Sequence, residues 1–389
     1  ISGWYLFDKD SGNNTADITP VADGTVLAPG GFYTFERNKD FTFGLGNSDK
    51  VTIFNKEGVV IDEFEWTSHA TGVYARIPDG TGEFKDVATS TKGKSNVEIE
   101  SVTENIDWPG EETTVVFDQN EIFTKDCSGL DFHNGQLYAV ENSQGKFWIL
   151  DVAKDGSMSF VKGYESGKYI RFKNYDANDT TGSRPDTEGV TVDANGMVYI
   201  ASERDNSVYK NCNTILMISP NTEGEILIAS NEWDLTDSLP DVPVNLGIEA
   251  VEWVSSANVN GKLFDQNTNA AFDITNYPNA IANGVFFVAL EANGHVYAYV
   301  LNNDGTCVQI ADIDSKIGGA MALDYDTYEN ALWVVSDNGY KNLGAKITFN
   351  GTADAGIVHV NAPSGVNVNA NNEGFAIAEY TFTKDGQRP

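Results

Sequence analysis

The sequence predicts an all-β protein, and three observations lead to this fold class. Short segments rich in aromatic and β-branched residues alternate with turn signals in the first 96 residues. A strand–turn–strand pattern then starts five times between residues 128 and 377. The 389 residues include 37 glycines, which suits a chain with many turns. Together these features predict a small β-sandwich followed by a β-propeller.

Residues 1–96 are predicted to form the sandwich, because their candidate strands are short and closely spaced. These strands are 4–7, 31–35, 51–54 and 59–61. Residues 55–58, with the sequence NKEG, have the composition of a hairpin turn. The aromatic side chains of this unit, among them Trp4 and Trp66, are expected in its core.

This unit resembles the lamin-tail domain, an immunoglobulin-like sandwich. The matching segments are ISGWYLFD at 1–8, APGGFY at 28–33, FGLG at 43–46, DKV at 49–51, the hairpin at 55–61, Trp66 and YARIPDGTG at 74–82. The resemblance covers about a quarter of the chain and implies an accessory or adhesive module of a bacterial extracellular protein. Because family members carry one or two strands before this motif, we expect the first strands to be missing here.

Residues 97–112 are polar and acidic and are predicted to be a linker, and residues 113–389 are predicted to form one propeller. Each repeat supplies the two inner strands of a blade, and a small residue that suits crowding near the axis recurs every ~50 to 70 residues. These small residues are Gly129, Gly189, Ala250, Ala320 and Gly374. Five repeat starts predict five blades, with six as the alternative. The strand at 113–117 is predicted to close the ring by pairing with the blade that Glu373 begins.

Carboxylates recur at matched positions of the repeats. Before the first strand of a repeat stand Glu188, Glu249 and Glu373, with Ser128 and Gly319 as exceptions; after the second strand stand Glu141, Glu203, Glu291 and Asp337. Antiparallel strands return to where they began, so these side chains should meet at one mouth of the channel. So many carboxylates around one opening need bound cations or shared protons. Oxygen-only ligands predict calcium or magnesium, and calcium suits a secreted protein best. The alternative is that these acidic residues occur there only because turns favour them, without a metal-binding role.

The composition narrows the function classes. The chain has 57 acidic and 25 basic residues and a net charge of −32, which argues against a nucleic-acid partner. An apolar run of about 18 residues, as a membrane span requires, is absent from the sequence. Three widely spaced cysteines and four scattered histidines disfavour zinc and a nucleophilic triad. We therefore expect a secreted or cell-surface monomer.

The blade starts EGV, EAV and EGF, together with ERDN and SDN after the second strands, resemble the esterase-like phytase family of β-propellers. The resemblance covers roughly residues 113–389. It implies an acidic channel mouth that holds calcium ions, which bind a substrate phosphate and activate water. It assigns catalysis to Glu188, Glu203, Arg184 and Arg204. Ser128 and Gly319 depart from the pattern by interrupting the acidic ring.

Two functions remain open at this stage. The first is a calcium-stabilised binding or adhesion module for a surface glycan or protein ligand. The second is a phytase-like, metal-dependent hydrolase of a small phosphate ester. The two differ in whether the metal keeps open coordination sites beside Arg184 or Arg204.

Overall fold

A computed structural model describes residues 1–9, 14–27, 31–70, 73–77, 80–87, 92, 96, 105–110, 123, 126–178 and 182–383. The chain divides into two compact units, Ile1–Ser101 and Val102–Pro389, so the division falls inside the predicted linker. Helices within these ranges are short: one α-helix, α1 (Ser256–Val259), and 3₁₀ turns at Thr15–Asp17, Thr236–Ser238, Ile274–Asn276 and Asn338–Tyr340. In the ranges given above, no helix has the length and apolar character that crossing a membrane requires.

The N-terminal unit is built from β-strands. An antiparallel sheet has the order β1 (Tyr5–Asp8), β2 (Asp49–Phe54), β3 (Val60–Trp66), and a separate hairpin contains β4 (Val73–Ile77) and β5 (Glu83–Val87). The predicted turn at 55–58 joins β2 to β3. The predicted strand at 31–35 is wrong, because this segment is a loop. The buried Asp40 carboxylate accepts hydrogen bonds there from the Tyr33 hydroxyl at 3.1 Å and Glu36 N at 2.8 Å, which compete with strand pairing.

The second unit contains four sheets that follow one another along the chain. The first holds β6 (Cys127–His133), β7 (Gln136–Glu141), β8 (Lys146–Val152), β9 (Met158–Phe160) and β10 (Lys168–Arg171), with β14 (Ile226–Ile228) parallel to β10. The second holds β11 (Pro185–Val192), β12 (Val198–Asp205), β13 (Lys210–Ile218) and β15 (Asn231–Asp234). The third holds β16 (Ile248–Ser255), β19 (Gly284–Leu290), β20 (His295–Leu301) and β21 (Cys307–Asp314), and its insertion carries β17 (Phe264–Asp265) and β18 (Ala270–Ala271). The fourth holds β22 (Ala322–Asp326), β23 (Ala331–Val335), β24 (Gly344–Thr348) and β25 (Gly356–Val360).

The first strands of successive sheets lie against one another, as the innermost strands of a propeller do. A Cβ atom on Gly129 would lie 2.8 Å from the α-carbon of Gly189, and one on Gly189 would lie 2.6 Å from the α-carbon of Ala250. Backbones this close leave no room for a larger side chain. The recurring small residue therefore has the packing role that the sequence predicted.

The small residue of the fourth sheet is Ala322, and the prediction of Ala320 is wrong by two positions. Ala322 pairs with Val335, the last residue of β23, in the register that Gly129 and Val140 have in the first sheet. The run GGAMAL offers small residues at several consecutive positions, so the sequence alone could not fix the alignment. The same shift places Met321, instead of Gly319, at the position that precedes the small residue.

Residues 373–379 supply the fifth innermost segment. Ile377 N donates to Asp324 Oδ2 of β22 at 2.7 Å on one side. On the other side, a Cβ atom on Gly374 would lie 2.9 Å from Leu130 Cγ of β6. The segment therefore fills the space between the fourth and first sheets and completes a ring of five, as predicted.

The predicted closing strand at 113–117 lies outside the described residues. A nearby part of the predicted linker does join the second unit: Ile106 forms a parallel bridge with Val360, the end of β25. Trp108 stacks close by, with its ring centroid 5.3 Å from that of Trp333 and 6.0 Å from that of Phe375. Residues 105–108 thus pack on the fourth and fifth repeats.

A side chain on each of the first four innermost strands forms a hydrogen bond to the next innermost segment. It recurs three residues after the position that precedes the small residue. We call this set the inter-blade tier; its members are Asp131, Thr191, Glu252 and Asp324. Each accepts a hydrogen bond from a backbone N–H of the next repeat: Val192 N to Asp131 (2.7 Å), Trp253 N to Thr191 (3.0 Å), Tyr325 N to Glu252, and Ile377 N to Asp324 (2.7 Å). The fifth repeat has alanine at this position, and Glu379 accepts from Asn134 N at 2.6 Å instead. These bonds satisfy N–H groups on strand edges that no further strand covers.

The bond between Asp324 and Ile377 can be tested by two substitutions. Asp324→Ala leaves the Ile377 N–H without its acceptor and should lower the free energy of unfolding by about 1–3 kcal/mol. Asp324→Asn keeps an acceptor oxygen and removes a carboxyl whose pKa burial raises, so it should cost clearly less. Urea unfolding at pH 7 measures both values. An equal loss in the two variants would show that the hydrogen bond is not what matters.

The inter-blade tier should also make stability depend on pH. Burial raises the pKa of Asp131 to about 7. The folded state then binds the proton more tightly than the unfolded chain, so stability is lost as pH rises from about 4 to 7. Relative to wild type, Asp131→Asn should therefore gain on the order of 2 to 4 kcal/mol between these limits. Unfolding curves of both proteins at pH 4.5 and 8 test this, and a constant difference would contradict it.

Candidate metal centre at the channel mouth

β-Bulges present the first set of predicted site residues. In each of the first three sheets, the register between first and second strands shifts beside the small residue. The residues added by these bulges are Ser128, Glu188 and Glu249. A bulge turns its extra side chain away from the normal alternation of the strand, here toward the mouth of the channel. Met321 and Glu373 hold the corresponding positions in the other two repeats.

The second set of predicted residues needs one correction. Strand register makes Glu141 equivalent to Ser202 and Leu290, since these residues pair with Cys127, Thr187 and Ile248 respectively. The residue equivalent to Glu203, Glu291 and Asp337 is therefore Asn142. A shift of one residue turns a side chain to the other face of a strand. The Glu141 carboxylate accordingly accepts hydrogen bonds from Ser143 and Gln144 N within its own turn.

Five carboxylates converge at the mouth, and we call them the rim cluster: Asp186, Glu188, Glu203, Glu249 and Glu291. They form two groups of three, Asp186–Glu188–Glu203 and Glu203–Glu249–Glu291. Within each group, one oxygen of every carboxylate lies within 4.8 Å of the others, and Glu203 belongs to both groups. The members come from the second and third repeats, and all except Glu291 are buried.

Asp186 is the one member of the rim cluster that was not predicted as a ligand from the sequence. It stands two residues before Glu188, and both lie at register shifts of β11, so the strand presents them together. Its side chain is 1% exposed, and its Oδ1 accepts a hydrogen bond from Asn206 Nδ2 at 2.7 Å. The i, i+2 spacing of two carboxylates on one strand was the signal available in the sequence.

Arg204 is the one predicted basic residue that enters the rim cluster. Its Nη1 contacts Glu203 Oε2, and its Nη2 lies 2.5 Å from Asp186 Oδ2. Both contacts are ion pairs between a guanidinium nitrogen and a buried carboxylate. Arg184 instead donates from Nε to Ser143 O at 2.9 Å. Of the two arginines, only Arg204 therefore pairs directly with rim carboxylates.

Glu373 and Asp337 lie beside the rim cluster. The Ser128 hydroxyl hydrogen-bonds with the carboxylates of Glu188 and Glu373, so it links the first, second and fifth repeats. Asp337 caps the following 3₁₀ turn, where its Oδ1 accepts from Gly339 N at 2.9 Å. Ser128 is thus a hydrogen-bonding member of the ring and not a gap in it.

Burial dominates the electrostatics of the rim cluster. It raises the pKa of Glu203 to about 7 and the pKa values of Glu188 and Glu249 well above their usual range. Charges on neighbouring carboxylates raise all three further. Burial also raises the pKa of Glu291, which shares a hydrogen bond with Glu249. These shifts show the cost of holding several ionised carboxylates in this space.

A family-model comparison supports one of the two resemblances seen in the sequence. The model of the phytase-like family, described by the esterase-like activity of phytase, matches residues 124–305, just under half of the 389-residue chain. The matched range contains all five members of the rim cluster. No curated protein matches the chain significantly.

Solved structures give weaker likenesses. A putative 6-phosphogluconolactonase from Bacteroides uniformis is 13% identical, with 84% of this chain and 81% of that chain covered and a TM-score of 0.31. A protein of unknown function from Bacteroides caccae is 10% identical, with 82% and 72% covered and a TM-score of 0.31. At such scores the fold assignment rests on the sheet order and strand contacts above. This chain is similar to the phytase-like family over 124–305.

Proposed function

We propose that the second unit is a calcium-binding propeller that acts as the binding module of an extracellular or cell-surface protein. The observation that carries the proposal is the rim cluster, whose carboxylates come from two repeats and approach within 4.8 Å in two groups. Two such unit charges ~4 Å apart repel by roughly 4 kcal/mol at an effective dielectric near 20. Bound cations are the compensation that an oxygen-only set of ligands favours.

The dimensions of the rim cluster support a calcium-sized ion. Calcium–oxygen distances are about 2.3–2.6 Å, so ligand atoms on opposite sides of the ion are about 4.6–5.2 Å apart. The oxygens of each group lie within 4.8 Å of one another, inside that limit. In the group Glu203–Glu249–Glu291, the carboxylates of Glu249 and Glu291 form no ion pair with a lysine or arginine of the described residues, so both can face a cation. The residues present therefore fit the ion.

Binding is favoured over catalysis by the enclosure of the rim. Glu203 is 1% exposed and Arg204 is 9% exposed, and Arg204 already contacts two carboxylates. Beside Glu188 and Glu249, the channel narrows to a cavity of about 10 Å³ whose other lining side chains are mostly apolar and include Leu130, Val190 and Phe375. To be bound by Arg204, a phosphate group would have to displace the carboxylates of Asp186 and Glu203 from its guanidinium. A surface glycan or protein would instead contact the outer loops, with the N-terminal unit as a lamin-tail-like accessory domain.

Phosphate-ester hydrolysis is the second candidate, because the phytase-like family model matches the range that holds the rim cluster. A bound cation would supply charge neutralisation and an acidified water. The chain would contribute Glu188 and Glu203 as ligands or bases, and Arg184 and Arg204 as partners of the phosphate. This assignment requires Arg204 to exchange its carboxylate partners for substrate oxygens.

Calcium should stabilise the second unit. At a calcium concentration 100 times the dissociation constant, the gain is about 2.7 kcal/mol. Chelation should accordingly lower the melting temperature, and Glu203→Gln combined with Glu249→Gln should abolish this response. Glu223→Gln, on an exposed loop of the same unit, should respond as wild type does. A wild-type melting temperature indifferent to both chelator and added calcium would refute the calcium site.

A phosphate-release assay separates the two candidates. The calcium-loaded protein is expected to release no phosphate from p-nitrophenyl phosphate or inositol hexakisphosphate, because the guanidinium of Arg204 is already paired with Asp186 and Glu203. Release that is lost on chelation and in Glu203→Gln would favour the hydrolase. Release that persists in both cases would point to a contaminant.

A further inference from the structure

We infer that the guanidinium of Arg204 takes the place of a metal ion beside Asp186, Glu188 and Glu203, so that the rim cluster binds one divalent ion and not two. The inference rests on the proposed calcium site and assigns the ion to the group Glu203–Glu249–Glu291. The group Asp186–Glu188–Glu203 is served by the guanidinium.

The guanidinium of Arg204 is held firmly in place. It contacts Asp186 and Glu203, and its Nη1 also contacts the Asn245 amide oxygen. Its Nε donates to Asn206 Oδ1 at 3.3 Å, and its carbon Cζ lies 5.1 Å from the centre of the Tyr209 ring. The five N–H donors of a guanidinium are carried by three nitrogens. In Arg204 each of these nitrogens has a partner.

Two of these partners, Asn206 and Asn245, lie in the turns that follow β12 and precede β16. Asn245 has a φ of 72°, in the left-handed region that residues other than glycine rarely adopt. Asn206 bridges the two sides of the ion pair, because its Oδ1 accepts from Arg204 while its Nδ2 donates to Asp186 at 2.7 Å. An arginine awaiting an anionic ligand would keep donors free. This one is already committed to the carboxylates.

The other group lacks an internal cation. Among the described residues, no lysine or arginine forms an ion pair with Glu249 or Glu291, whereas two of the three carboxylates of the first group, Asp186 and Glu203, contact Arg204. Glu203 links the two groups: its Oε1 accepts from Gly247 N at 2.8 Å, and its Oε2 faces Arg204. Each carboxylate oxygen has a second lone pair, so Glu203 can pair with Arg204 and still bind an ion on its other side.

Calcium stoichiometry tests the inference. Isothermal titration calorimetry should show that Glu249→Gln with Glu291→Gln loses one calcium ion per chain relative to wild type. Arg204→Gln should gain one ion per chain, because the group Asp186–Glu188–Glu203 then has three carboxylates and no cation. Arg204→Lys keeps the charge and should retain the wild-type number. An unchanged number in Arg204→Gln would overturn the inference.

A second variant covers the case in which Arg204→Gln does not fold. Asp186→Asn should leave the number of bound ions unchanged, since Arg204 and not calcium is its partner. Loss of one ion in Asp186→Asn would overturn the inference and leave the proposed calcium site standing. If Glu249→Gln with Glu291→Gln loses no ion, the proposed site itself is wrong. The two failures are therefore distinguishable.

Discussion

The structure of the second unit depends on how it accommodates carboxylates buried on its innermost strands. Both ends of these strands carry them: the rim cluster at the mouth of the channel and the inter-blade tier three residues further along. A buried carboxylate is tolerated when hydrogen bonds or opposite charges offset its desolvation. In the inter-blade tier, backbone N–H groups of the next repeat do this. At the rim the acceptors outnumber such donors, and positive charge has to make up the difference. Backbone hydrogen bonds thus satisfy the carboxylates of the inter-blade tier, whereas the rim cluster leaves carboxylate oxygens that a cation can bind.

The difference between the two ends follows from strand geometry. Inside the ring, the innermost strands run side by side with their backbones in contact, so a side chain at residue 131 or 324 reaches the N–H of its neighbour directly. At the rim, bulges break the ladder at Glu188 and Glu249 and turn both side chains out of the alternation. The broken ladder offers few N–H groups, and the outward turn brings like charges together. The same bulges therefore bring the rim carboxylates together and make their negative charges repel one another.

The sequence predicted the ring of repeats and four of the five carboxylates of the rim cluster, and its errors have physical causes. The sequence pattern places Glu141 at the rim because it aligns the first repeat one residue out of register. Strand pairing makes Glu141 equivalent to Ser202, and its carboxylate faces its own turn. The fourth repeat was misaligned by two because GGAMAL has several small residues. The inter-blade tier was not predicted, although Asp131, Glu252 and Asp324 recur at one spacing, because Thr191 and Ala376 interrupt the run of carboxylates. The pairing of Arg204 with Asp186 depends on loops around Asn206 and Asn245, which no periodic pattern encodes.

Arg204 also bears on whether the rim does chemistry. A catalytic metal needs an exchangeable coordination position, whereas a structural metal is enclosed by protein ligands. At this rim all carboxylates except Glu291 are buried, and the guanidinium of Arg204 is already paired with Asp186 and Glu203. Hydrolysis would require that ion pair to open and two buried carboxylates to lose their partner at the moment an anion arrives. That change is electrostatically unfavourable unless a second cation enters with the substrate. A cation that fixes the rim, with recognition on the loops outside it, demands no such rearrangement, and this is why we propose a binding module.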